Sequence, residues 1–158
     1  MKEIVERLEE LNKTISTMES CTGGGVANAI TNVEGASAVL KFSAVTYCNE
    51  YKIKMGVDKD IIDKYTVYSM ETADEMSKNI SNFANSNYGV GITGQINMVD
   101  PNNKTGEDDK IYISIYDRDN DKYYNKTIKA IEGTREYNKE MIISNIVDML
   151  KNIIKSDN

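Results

Sequence analysis

The chain has 158 residues, 40% apolar and 28% charged, a composition that builds a folded core rather than a disordered chain. Acidic residues outnumber basic ones 25 to 19, for a net charge of −6, which argues against nucleic-acid binding, where Lys and Arg must neutralise phosphate. Histidine is absent, which excludes Ser–His–Asp and Cys–His catalysis and His-containing zinc sites, and two cysteines are too few for a Cys₄ site, so no metal is expected.

No run approaches the roughly 20 apolar residues of a membrane helix, and the acidic start MKEIVERLEELN has no apolar h-region. The expectation is a cytoplasmic chain of one domain over 1–158, without a membrane partner. Ile4, Val5, Leu8 and Leu11 recur at helical spacing and predict a helix over 2–12. The β-branched run 14–18 predicts a strand. A turn, Ser20-Cys21-Thr22-Gly23-Gly24-Gly25, leads into a short helix ending at Thr31. Residues 43–48 predict the second strand, with Cys48 as a small buried residue, and NEYKIKMG a short helix ending at Gly56. Asp58 caps another turn. Ser69 caps a helix to about residue 86, with Met70, Ala73, Met76, Ile80 and Phe83 as its buried face. Residues 88–92 predict a buried strand. A long polar loop carries the single proline, Pro101. Ile111, Ile113 and Ile115 then alternate in the first arm of a hairpin over 110–131. Ile142, Ile146, Met149, Leu150 and Ile153 form the core stripe of a last helix. Early alternation of helices and strands, a late β-hairpin and a C-terminal helix predict an α/β sandwich with a mixed sheet.

A strand, a glycine turn and a helix start aim backbone N–H groups outward, a geometry suited to a phosphate or an oxyanion. Glycines at such a junction also serve packing alone. No lysine follows them, so this is no P-loop, and the spacing is not GxGxxG. Ser20 on this turn is a candidate nucleophile, with Cys21 the alternative. A serine needs a base, and a chain without histidine must take it from a neutral lysine, with a tyrosine hydroxyl as possible relay. VTYCNEYKIKMG, residues 45–56, offers Tyr47 and Lys52 at the carboxyl end of a strand, where α/β sites collect. A half-buried tyrosine and a solvated lysine are the plain alternative.

ESCTGG at 19–24, followed by GASAVLKFSAVTYCNEYKIKMGV, by Gly91-Ile92-Thr93-Gly94 and by Gly133-Thr134-Arg135, resembles the C-terminal domain of the CinA family, of the nicotinamide-nucleotide amidase (PncC) type. The resemblance covers most of the chain. It implies a three-layer α/β/α sandwich and a metal-free, cofactor-free amidohydrolase. Such an enzyme converts nicotinamide mononucleotide to nicotinate mononucleotide and ammonia. Carried over position by position, it makes Ser20 the nucleophile, Tyr47 and Lys52 its catalytic partners, and Cys21, Thr22, Gly23 and Gly24 the turn that binds the reacting group. Thr93 with Gly94, and Arg135, match pocket positions, with Arg135 a candidate for the substrate phosphate. The implied partner is the small nicotinamide nucleotide, and a homo-oligomer is compatible with it.

The sequence departs from that family in two places. The Thr-Gly segment normally continues Ile-Ala-Gly-Pro, where this chain has Gln95-Ile96-Asn97-Met98, and acidic Glu107, Asp108 and Asp109 stand near the next strand. Lys139 stands where a second arginine is usual, keeping charge but not bidentate geometry. Two alternatives follow: an amidase of the same fold acting on another small amide, and a non-catalytic nucleotide-binding regulatory domain.

Overall fold

The apolar periodicities resolve into six helices and five strands in the structure, a computed structural model that describes residues 1–98, 101–102 and 108–156. The order is α1 (Lys2–Glu10), β1 (Ile15–Glu19), α2 (Gly25–Thr31), a 3₁₀ turn (Ala36–Ala38), β2 (Leu40–Val45), α3 (Asn49–Lys54), α4 (Lys59–Tyr65), α5 (Met70–Ala84), β3 (Tyr88–Gly94), β4 (Lys110–Asp117), β5 (Lys122–Lys129) and α6 (Arg135–Ser156). The sheet order is β2-β1-β3-β4-β5. The first three strands are parallel, and β4 and β5 run antiparallel as a hairpin. The mixed sheet follows from the connections: helices return the chain between parallel strands, whereas a tight turn can only make an antiparallel pair.

Side-chain parity along β3 divides the core in two. Tyr88, Val90 and Ile92 face α1, α2 and α6, in a cluster with Leu8, Ile30 and Ile146. The opposite face of β3 presents Gly89 and Gly91, and there α5 lies backbone against strand. A Cβ at Gly89 would stand 1.9 Å from the Ser77 carbonyl oxygen, and one at Gly91 2.4 Å from that of Ala73. Met18, Met76 and Ile80 fill this second cluster with Val57, Ile62 and Val67. Helices thus cover both faces, giving the expected three layers. Asp58 caps α4 through the Asp60 N–H at 2.9 Å, and Ser69 caps α5 through that of Thr72 at 3.2 Å, as their spacing predicts.

Two expectations need correction. The second strand occupies 40–45 rather than 43–48, so Thr46, Tyr47 and Cys48 belong to the connection beyond it. It is an edge strand, and its exposed Phe42 hides the alternation that would have marked its start. Phe83 is 65% exposed rather than core. It lies near the end of α5 and meets the Phe42 ring at 5.2 Å. Among the described residues, no helix is long and apolar enough to cross a membrane.

Candidate active site

β1 ends at Glu19, and its carboxylate decides what the next turn can do. Glu19 is fully buried and accepts the backbone N–H groups of Val26 and Ala27, both at 2.9 Å, and the Thr22 hydroxyl at 2.7 Å. The chain's own anion therefore occupies the start of α2, and the turn is no phosphate cradle. Thr22 is buried and its hydroxyl points inward, so only its backbone can serve a ligand. Gly23 (φ 61°) and Gly24 (φ 93°) bend the chain through the left-handed region, which glycine enters without a Cβ penalty. The Gly23 N–H turns back to the Ser20 carbonyl at 2.9 Å. Among the described residues, the amides of Cys21 and Thr22 have no backbone carbonyl as partner. They directly follow Ser20, where an oxyanion would need donors.

Lys52 belongs to the six-residue α3, yet it is only 2% exposed. Its Nζ lies 3.1 Å from Ser20 Oγ and donates to the Thr46 carbonyl at 2.6 Å. Parallel pairing of β1 with β2 brings the two together, since Glu19 and Val45 are register partners and both chains leave the sheet at the same edge. Tyr47 takes no part in this contact. It is 64% exposed, and its hydroxyl accepts from Arg135 Nη2 at 3.4 Å. Among the described residues, no hydrogen bond joins it to Ser20 or Lys52.

Ser20, Cys21, Tyr47, Cys48, Gln95 and Arg135 share one cavity of about 530 Å³, with Gly94 in its wall, a size typical of small-molecule sites. Arg135 is the one charged residue among its described lining residues, and its Nη1 also donates to the Ile96 carbonyl. Thr93 does not reach the cavity. It shares the parity of Gly89 and Gly91, is fully buried, and donates to the Val67 carbonyl at 2.8 Å. Gly23 and Gly24 shape the turn from behind, and Lys139 Nζ lies 3.4 Å from where a Gly23 Cβ would stand. Of the acidic residues near β4, Glu107 lies outside the described residues. Asp109 is turned to the Asn97 N–H at 2.9 Å. Sequence reasoning gave no role to Glu19, which opens the ESCTGG motif, to Gln95 and Asn97, which were noted only as departures from the family, or to Asn138. Among the described residues, no group of His, Cys, Asp and Glu could hold a metal ion.

The two cysteines differ sharply. Cys21 is buried, and desolvation pushes its thiol up to about 12, so it is a poor thiolate nucleophile. Cys48, expected to be buried, is exposed in the cavity wall because the strand stops short of it. A disulfide reagent at about pH 8 is therefore expected to titrate Cys48 quickly and Cys21 only after unfolding. Equal rates for both thiols in the native protein would contradict this.

A family model described as the CinA C-terminal domain matches residues 1–154. A protein of Thermoanaerobacter pseudethanolicus bearing the name competence-damage inducible protein is 35% identical over 153 residues, covering 96% of this chain and 36% of that protein. A relative of the same name from Clostridium botulinum is 35% identical over 161 residues, covering 98% and 37%. The chain thus spans little more than a third of the length of these relatives. Among solved structures, the competence/damage inducible protein CihA from Agrobacterium tumefaciens superposes with a TM-score of 0.83 at 26% identity, covering 96% of this chain and 93% of that one. A CinA superfamily protein from Klebsiella pneumoniae gives 0.85 at 19% identity, covering 98% and 94%, a likeness of fold.

Proposed function

Because the chain belongs to the family of CinA C-terminal domains, we propose that it is an amidohydrolase that deamidates nicotinamide mononucleotide to nicotinate mononucleotide and ammonia. The observation that carries this reading is the buried contact between Lys52 Nζ and Ser20 Oγ at 3.1 Å. It stands at a cavity whose charged lining residue is Arg135.

Enclosure favours the uncharged form of an amine, and a neutral Lys52 can act as base. One of its N–H bonds is held by the Thr46 carbonyl, and its lone pair can turn to the Ser20 hydroxyl. Lys52 takes that proton as Oγ forms a bond to the carboxamide carbon. The Cys21 and Thr22 amides stabilise the oxyanion, a donor of this kind supplying about 3 kcal/mol. The protonated lysine returns its proton to the leaving nitrogen, and ammonia departs. Water then attacks the acyl ester, Lys52 again receives a proton, and Oγ leaves with it as the carboxylate product forms. Tyr47 is not required as a relay, since the base touches the nucleophile directly. Its role is to flank Arg135, which offers a guanidinium to the substrate phosphate.

The test is ammonia release by purified protein from nicotinamide mononucleotide, its dephosphorylated riboside, nicotinamide and simple aliphatic amides. Fastest turnover is expected with the nucleotide, yielding nicotinate mononucleotide. The unusual wall of Gln95, Ile96 and Met98 favours a second reading, an amidase for a different small amide. Turnover of an unphosphorylated amide at the nucleotide's rate would select it. No release from any amide would sink both and leave a non-catalytic binding domain.

A further inference from the structure

Behind Arg135 lies a set of side-chain amides that the chemistry above does not use. Asn138 is fully buried on the first turn of α6. Its Oδ1 accepts the Ile131 N–H at 2.9 Å. Its Nδ2 faces three acceptors: the carbonyls of Ile131 at 3.0 Å and Thr134 at 3.2 Å, and Asn97 Oδ1 at 3.3 Å. The Ile131 N–H can only donate, so the orientation of the Asn138 amide is fixed. Asn97 completes the pair from the other side. Its Nδ2 donates to the Gly133 carbonyl at 3.0 Å and its own N–H to Asp109 Oδ1 at 2.9 Å. Its backbone is left-handed, φ 64°, a conformation asparagine tolerates better than most residues. The family pattern described above has glycine at this position. Asparagine keeps the bend and adds a side chain that crosses to the next element.

We propose that Asn97 and Asn138 are positioning residues whose paired amides clasp the segment after β3 to the start of α6, and so fix Arg135 relative to Ser20. The segment they hold carries the Ile96 carbonyl that tethers Arg135, and Arg135 in turn meets Tyr47. The clasp therefore sets the reach between nucleophile and guanidinium. This rests on the amidase reading for its substrate and makes the pair a determinant of specificity for phosphorylated amides. Its removal loosens the hold on the anion and leaves the Ser20–Lys52 pair untouched.

Asn97→Gly isolates the effect. Glycine takes the same backbone conformation at no steric cost, so only the two side-chain bonds are lost. Asn138→Ala is the poorer probe, since it strands buried backbone groups and risks the fold. Ammonia-release kinetics are compared for nicotinamide mononucleotide and its riboside. In parallel, phenylglyoxal modification of Arg135 is followed by peptide mass spectrometry, with Arg7 and Arg118 as internal references. In Asn97→Gly, KM for the nucleotide is expected to rise about tenfold, as for two modest hydrogen bonds. kcat and the riboside kinetics should hold, and Arg135 should be modified several-fold faster. Wild-type KM and wild-type Arg135 reactivity would overturn the proposal, and so would a fall in kcat at constant KM. An inactive wild-type protein would instead count against the amidase reading. The rate of Arg135 modification would then decide the clasp alone.

Discussion

Replacing Lys52 with methionine is expected to lower ammonia release by roughly a thousandfold, within the range found for loss of a positioned general base. Ser20→Ala is expected to lower it at least as far, and the double variant hardly further, because a nucleophile and its base act as one unit. Lys52 Nζ is 3.1 Å from Ser20 Oγ, and both residues are buried. Thermal stability separates lost chemistry from lost folding. Methionine is nearly as long as lysine and removes a polar group whose burial is costly. The melting temperature of Lys52→Met should therefore match or exceed that of the native chain, although the Thr46 carbonyl loses its donor. Circular dichroism melts run beside the activity assay check this. A Lys52→Met protein that kept more than about a tenth of native turnover would end the proposed role of that lysine.

The second large effect concerns the fold. Gly89→Ala is expected to destabilise the protein by about 3 kcal/mol or more. The added methyl would need the space of the Ser77 carbonyl oxygen, 1.9 Å away, with Ser81 Cβ at 2.9 Å. Neither is the end of a flexible side chain. Helix α5 would have to lift from β3 and loosen Met76 and Ile80 beneath it. In a domain of this size that corresponds to a fall of about 10 °C in melting temperature. Gly91→Ala meets the Ala73 carbonyl oxygen at 2.4 Å and the Ser77 nitrogen at 2.6 Å, and should behave alike. A melting temperature within about 2 °C of the native value for Gly89→Ala would show that the helix has slack the structure does not suggest.

Most of the layer order could be read from periodicity. Helices α1 and α6 carry plain apolar stripes, α4 and α5 carry capping residues, and the hairpin alternates cleanly. The edge strand β2 was misplaced because exposed Phe42 and Val45 give it no buried face to read. The contact between Ser20 and Lys52 was legible for a chemical reason: a candidate serine nucleophile without histidine calls for a lysine, and the family resemblance selected one. The other site residues depend on facts that a linear pattern does not hold. Thr93 faces α5 rather than the cavity through strand parity alone. Tyr47 leans toward Arg135, a residue 88 positions away. Asn97 and Asn138 are 41 positions apart, and each reads in isolation as an ordinary polar residue.

The buried Glu19 carboxylate has a consequence for how the proposed substrate would enter. Folds that grip phosphate at a strand–helix junction leave that junction open to the ligand. Here the berth is taken by a group that cannot leave, so a nucleotide presented phosphate-first to the glycine turn meets like charge. The Arg135 guanidinium in the cavity wall would attract that same phosphate. A ligand carrying an amide at one end and a phosphate at the other is thereby oriented before it touches either partner. On the proposed reading, charge then favours the approach that leaves the serine turn facing the carboxamide.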